Sequence, residues 1–348
     1  MYRRLTLLTI LLITSLLLAA CPAPAVPAPA APAADAPAAA EAESADPFRI
    51  AIVMPSSTTD LAWSQSMYGA LMAVQEEMGG ESALEIAYSE NMFQVTDAAA
   101  AIRDYASEGF DLVIAHGTQY GNSMFDVATD FPETSFAWGT AVDTGTDRGY
   151  SNVFAYEAAA DEGGYVNGVI AALLSEVGVI GVVGPVEAGD AKLYIDGFVK
   201  GVMDTNADAV VNISYTGSFG DTALAAEAAN VHIQAGADVL TGSAQQVVGA
   251  VGVANESGVY WMGTQSNQTS LGPDVVVVNQ VYDWTGTVKD MIEKINAGEL
   301  GGTAYNLTLE NDGLKVTFNE AIEVAEEIVT AAEEAITQIE AGAIQTLP

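Results

Sequence analysis

Gly109-Phe110-Asp111-Leu112-Val113 and Gly236-Ala237-Asp238-Val239-Leu240 are two versions of one pattern. Each follows an Ala-rich stretch opened by an acid, Asp97 or Asp221, and each precedes a strand that reads as ending in tryptophan, at Trp138 or Trp261. A helix stopped by glycine and followed at once by a short apolar run is the junction expected in a buried parallel sheet. Outward from the first copy, residues 49–54, 83–88, 111–115 and 135–138 read as strands, and residues 62–78 and 96–108 as helices. Outward from the second, 179–183 and 210–215 read as strands, and 161–174, 192–203 and the segment from Asp221 to Gly236 as helices. The alternation predicts an α/β fold of right-handed βαβ units. Its recurrence predicts two Rossmann-like lobes in tandem, with a cleft between them.

The composition narrows the function. The 348 residues carry 46 Asp and Glu against 10 Lys and Arg, a formal charge of −36. No stretch has the basic density that would neutralise nucleic-acid phosphates or dock on anionic lipid. The acidic excess reads as a solvated surface. One cysteine excludes an internal disulfide, a CxxC pair and a cysteine zinc site, and two histidines, His116 and His232, form no metal-type cluster. No metal and no cofactor is expected, and both histidines read as helix or loop residues without catalytic duty.

The first residues read as an address. Arg3 and Arg4 precede an apolar run at 5–18, which ends in Leu18-Ala19-Ala20-Cys21. That ending resembles the lipobox of bacterial lipoproteins, which implies a signal peptide at 1–20 and a lipid on Cys21. Residues 21–47 are almost wholly Ala, Pro and acid and read as an extended tether. The expected location is the outer face of the cytoplasmic membrane or the periplasm.

In open α/β sheets, ligands sit beyond the carboxyl ends of the strands. The candidate loops are therefore 56–65, 116–122, 184–194, 218–221, 241–246 and 263–268. They are rich in Ser, Thr, Asn, Gln and aromatics, and they lack the acid, Ser-His or Cys-His pairs that catalysis needs. No catalytic residue is expected. The glycines of Gly178-Val179-Ile180-Gly181-Val182-Val183-Gly184 lie before and within a strand, so they make a poor dinucleotide fingerprint.

Four stretches resemble the basic membrane protein family, the lipoprotein binding components of ABC importers for purine nucleosides and bases. They are Thr59-Asp60-Leu61-Ala62-Trp63-Ser64-Gln65, Asp161-Glu162-Gly163-Gly164-Tyr165-Val166-Asn167-Gly168, Ile195-Asp196-Gly197-Phe198 and Tyr215-Thr216-Gly217-Ser218-Phe219-Gly220-Asp221. The resemblance implies a type I periplasmic-binding-protein fold that closes by a hinge on a small ligand, with an ABC permease as partner and the protein itself a monomer. Lobe 1 is then expected at 48–154 with 262–284, lobe 2 at 155–261 with 285–318, and a C-terminal helix at 319–348, with crossovers near Ala155, Met262 and Thr285.

The resemblance also nominates site residues. Trp63 stands where the family stacks an aromatic on the base; the alternative is a core residue of its helix. Asn122 stands where nucleoside binders carry a base-reading Asp; the alternative is a helix N-cap. Tyr194 is a second ring or a packing residue. Asp60, Ser64, Gln65, Ser243, Gln265 and Trp284 complete the set. Gln265 replaces the family's ribose-gripping Asp, and Gln280 stands near its Lys. The expected ligand is purine-like, with a free base preferred over a nucleoside. A sugar or flavin in the same fold is the alternative, as is a sensing lipoprotein that feeds no transporter.

Overall fold

Apolar runs bounded by glycine become strands here because both faces of each sheet are covered by helices, so no polar alternation is required. The computed structural model describes residues 46–348. The first half runs β1 (Phe48–Val53), α1 (Trp63–Met78), β2 (Leu84–Ser89), α2 (Val95–Ser107), β3 (Leu112–His116), α3 (Gly121–Asp130), β4 (Ser135–Gly139) and β5 (Val153–Ala158). Helix α4 (Ala160–Leu174) leads into the second half. That half runs β6 (Val179–Gly184), α5 (Gly189–Thr205), β7 (Val210–Tyr215), α6 (Thr222–Gln234), β8 (Val239–Gly242), α7 (Val247–Ser257), β9 (Tyr260–Gln265) and β10 (Val276–Tyr282). The chain ends with α8 (Thr285–Asn296), β11 (Ala304–Leu307), β12 (Leu314–Phe318) and α9 (Glu326–Glu340).

Two six-stranded sheets result, ordered β11-β5-β4-β3-β1-β2 and β12-β10-β9-β8-β6-β7. The orders superimpose strand for strand, and every pairing is parallel except β10 with β12. The repeated pentapeptides do the same work in each sheet. Leu112 pairs beside Ile50 and Val239 beside Ile180, so each copy places the third strand against the first. The two tryptophans differ in place, however. Trp138 is the penultimate residue of β4, whereas Trp261 is the second residue of β9, which runs on to Gln265.

The sheet membership corrects the expected lobe boundaries. Residues 262–284 do not return to lobe 1, because β9 and β10 lie in the second sheet. Met262 is no crossover; it sits mid-strand, fully buried. The chain leaves the first sheet after Ala158, leaves the second after Tyr282 by way of α8, and passes between sheets once more from β11 to β12 through 308–313. The physical reason is that strand pairing runs through the backbone. An apolar run such as Val276-Val277-Val278-Asn279-Gln280-Val281-Tyr282 fits the middle of either sheet.

The glycine-rich segment at 161–168 has a packing role. Gly164 and Gly168 of α4 face Gly197 and Gly201 of α5, and a Cβ at any of the four would land on a backbone carbonyl of the other helix. Pairs of glycines one turn apart let the two backbones touch, which larger residues forbid. Helix α9 covers the outside of α4 with Ile328, Ala332, Ala335 and Ile339, one stripe at helical spacing. The expected lipidation at Cys21 lies outside the described residues, and no described helix is long and apolar enough to cross a membrane.

Candidate ligand-binding site

The carboxyl ends of both sheets face one narrow cavity of about 40 Å³. From the first sheet come Pro55 after β1, Trp63 at the start of α1, Phe93 after β2, Gly117, Thr118 and Gln119 after β3, and Thr140 after β4. From the second come Asp190 after β6, Phe219 after β7, Ala244 and Gln245 after β8, and Gln265 at the end of β9. The walls nearly touch at the rim. A Cβ on Gly189 would lie 2.8 Å from Thr140 Oγ1 and 3.3 Å from Thr118 Oγ1, and one on Gly220 would lie 2.7 Å from the Phe93 ring. The lobes are therefore closed on each other.

Trp63 is built into the first wall with little freedom. His116, the last residue of β3 and not a helix or loop residue, stacks on one indole face with ring centroids 4.0 Å apart and planes 2° apart. The indole N–H donates to the His116 carbonyl at 3.1 Å. His116 Nε2 lies 2.9 Å from the Trp63 carbonyl, which can only accept, so that nitrogen carries the proton and Nδ1 accepts from the Tyr156 hydroxyl at 2.7 Å. Burial pushes the His116 pKa down to about 3, so the imidazole is neutral. Trp284 and Tyr282 meet the indole edge-on at 5.9 and 6.4 Å. The Trp63 polar edge is thus used up, and what reaches the cavity is ring surface.

The remaining nominated residues separate cleanly. Asp60 does not line the cavity. Its carboxylate accepts from the amides of Ala62, Ser64 and Gln65 at 2.9, 3.1 and 3.0 Å, capping the exposed donors at the start of α1. Burial raises its pKa, partly offset by those amides. Ser64 accepts from the Ser56 amide and Gln65 from the Leu61 amide, so both hold the β1–α1 loop. Asn122 is exposed on the first turn of α3, away from the cavity and not at the N-cap, which is Tyr120. Tyr194 is fully buried inside the second lobe, bonded to Asn167 and Thr241, with its pKa pushed up to about 12 by burial. Trp284 is fully buried behind Trp63, and its N–H donates to Ser66. Ser243 is buried beside the wall residue Ala244, and its Oγ has no partner. Of the nominated set, Trp63 and Gln265 line the cavity.

The nomination missed Asp190, Phe93, Phe219, Thr118, Gln119, Thr140 and Gln245. Phe93 and Thr140 follow β2 and β4, so the carboxyl-end rule applied to every strand would have found them. Asp190 is 3 % exposed, and neither carboxylate oxygen has a hydrogen-bond partner. Burial, with repulsion from Glu157, raises its pKa well above the carboxylate range, and nearby Ala158 and Thr140 groups offset this more weakly. Gln245 Oε1 and Gln265 Oε1 are also buried without partners. Ala244 and Gln265 hold the left-handed backbone at φ 70° and 71°, a strained geometry for non-glycine residues that concentrates at ligand sites. No Lys or Arg lines the cavity, and every Lys and Arg among the described residues has an acidic partner elsewhere. Among the described residues no group of three or more His, Cys, Asp or Glu is placed to hold a metal.

Residues 48–345 match the family profile described as Bmp, ABC transporter substrate-binding protein PnrA-like. A purine-binding protein of Brucella abortus is 27 % identical over 243 residues, 70 % of this chain and 67 % of its own length. A putative ABC transporter glucose-binding protein of Haloferax volcanii is 26 % identical over 255 residues, 73 % of this chain and 63 % of its own. The solved structure of an ABC transporter solute-binding protein from Conexibacter woesei superimposes with a TM-score of 0.70 at 24 % identity, covering 86 % of this chain and 98 % of its own, which fixes the two-lobed fold. The family is one of binding components, not enzymes, which work with a small-molecule ligand and a permease. This chain belongs to the Bmp family of PnrA-like substrate-binding proteins of ABC transporters.

Proposed function

We propose that the protein delivers a neutral, flat, purine-like ligand to its permease, with a free base preferred over a nucleoside, while a lipid on Cys21 tethers it to the membrane. The observation that carries the ligand class is the Trp63 ring, locked on one side by His116 and presented to a cavity that has no cation. Stacking on such a ring contributes about 1–3 kcal/mol per base and suits any flat heteroaromatic. The missing Lys and Arg disfavour a phosphate ester or a carboxylate, whose charge would be buried unpaired. The base preference rests on Gln265 and Gln280, which stand where the family's ribose-binding charges are expected. Ligand bridging the two walls favours the closed lobes because both contacts exist only when they are shut. Calorimetry with adenine, hypoxanthine, adenosine and guanosine tests this. Heat with the bases is expected; silence with all four ends the purine reading, and tighter nucleosides end only the base preference.

A sugar is the second reading, favoured by the name of the Haloferax relative and by the unpartnered acceptors on the second wall. Aromatic rings also pack on sugar faces, so D-glucose and D-ribose belong in the same titration.

A further inference from the structure

The cavity contains one ionisable group, and its polar neighbours, the Ala158 and Asp190 backbone and the Thr140 hydroxyl, lie near it without reaching hydrogen-bond geometry. Asp190 sits in the first turn of α5, nearly inaccessible, with both oxygens unpaired and on the wall of the cavity. Leaving a buried carboxyl without partners is costly, and folded proteins rarely do so outside sites where another molecule completes the bonding. No internal cation can serve, because every described Lys and Arg is held in an ion pair elsewhere. The neighbouring orphans, Ser243 Oγ, Gln245 Oε1 and Gln265 Oε1, are all able to accept. The second wall therefore asks for donors, whereas the first wall offers ring surface.

We propose that Asp190 anchors the ligand from the second lobe by accepting two adjacent hydrogen-bond donors, either the neighbouring N–H groups of a 2-amino-6-oxopurine edge or the vicinal hydroxyls of a ribose. The two oxygens of one carboxylate match a parallel donor pair, and such charge-assisted pairs are the stronger class of hydrogen bond, so a ligand that brings both donors draws the buried carboxyl into its ionised form. A single donor leaves one oxygen unpaired. An adenine-type edge, which sets an acceptor beside its donor, meets the second carboxylate oxygen with a lone pair and suits only the protonated carboxyl, whose donor-acceptor pair an asparagine reproduces. Asp190 on the second lobe and Trp63 on the first then read different parts of one molecule, so the selectivity of Asp190 exists only in the closed protein. The donor-pair chemistry stands independently of the purine class, although its two sources rest on that reading.

Four ligands separate the sources: 9-methylguanine carries the N–H pair alone, adenosine the diol alone, guanosine both and 9-methyladenine neither. Calorimetry on the full chain compares wild type with Asp190→Asn, and D-ribose and D-glucose are added as diols without a purine. Loss of a charge-assisted pair predicts weakening of roughly 10–100-fold for the ligand that uses it, and little change for 9-methyladenine. Weakening confined to 9-methylguanine and guanosine assigns the edge; weakening confined to adenosine and guanosine assigns the diol. Equal affinities for wild type and variant across all binding ligands overturn the proposal. Binding of a sugar alone, lost in the variant, keeps Asp190 and ends the purine reading, while silence from all six ends both. A melting curve of the unliganded Asn variant checks folding. If that variant melts below wild type, Asp190→Ala, which carries no polar group to bury, takes over the comparison.

Discussion

The two walls of the cleft are built from matching sheets and yet are finished in opposite ways. On the first wall the polar groups around the stacking ring have been used. The Asp60 carboxylate caps α1, the Trp63 N–H is bonded, and both His116 nitrogens have partners. On the second wall Asp190, Ser243, Gln245 and Gln265 keep unpaired buried atoms, and two residues hold strained backbone. The first wall is a finished platform whose stability does not depend on ligand. The second carries the cost that a ligand relieves. Duplicated folds thus divide the labour of recognition: one half supplies shape, and the other supplies unmet hydrogen-bonding demand.

The largest effect should come from the platform. Trp63→Ala removes a buried ring together with its stack on His116 and its edge contacts to Trp284 and Tyr282. Truncating a buried aromatic costs about 3–5 kcal/mol. Chemical denaturation of the unliganded variant is expected to show that loss, along with loss of measurable ligand binding. Trp63→Phe should recover most of the stability while still binding more weakly. A Trp63→Ala protein as stable as wild type would mean that the platform is not structural, and the contrast between the walls would collapse.

Asp190→Asn should move stability the other way. A carboxyl whose pKa is raised in the folded state favours folding fully below its unfolded value near 3.8 and loses that contribution as pH rises. The wild type therefore gives up stability through this group at neutral pH, and the amide does not. The unliganded variant is expected to be more stable by about 1–2 kcal/mol at pH 8, because the amide is neutral at every pH whereas the carboxyl must take up a proton or bury a charge. The difference should shrink toward pH 4. His116 works in the opposite sense in both proteins: its lowered pKa withdraws stability as pH falls below the ordinary value of 6.5. The difference between the two melting profiles isolates Asp190, and parallel profiles from pH 4 to 8 would show its carboxyl to be satisfied.

The sequence contains much of this and hides the rest for identifiable reasons. The Gly-x-Asp repeat leads to the correct third strand in both sheets because a glycine stop and an apolar run are local signals. The cavity lies where the carboxyl-end rule puts it. Lobe membership of β9 and β10 has no local signal, since any buried strand pairs with any other. Tyr194 drew the nomination over Asp190, four residues earlier in the same loop-to-helix stretch, because an aromatic suits a flat ligand. Yet Tyr194, Ile195, Phe198 and Val202 form one apolar stripe along α5, the ordinary signature of a core face, and all four are buried. Asp190 precedes that stripe. What no pattern could show is that its carboxyl is left unpaired, because that depends on groups contributed by four different strands' loops.

The smallest expected effect bears on strain. Gln265 combines φ 71° with an unpartnered buried amide oxygen, two costs at one residue on the second wall. Glycine adopts that backbone freely, so Gln265→Gly relieves the strain and removes the orphan, at the expense of a more flexible unfolded chain and lost side-chain packing. These terms nearly cancel, and the melting temperature of the unliganded protein should move by no more than about 1 kcal/mol in equivalent stability. Ligand affinity should nevertheless fall, since one of the few polar groups facing the cavity is gone. A glycine variant that is strongly destabilised would place Gln265 among the structural residues. The second wall would then carry part of its polar groups for the fold, as the first wall does, and the asymmetry would rest on Asp190, Ser243 and Gln245.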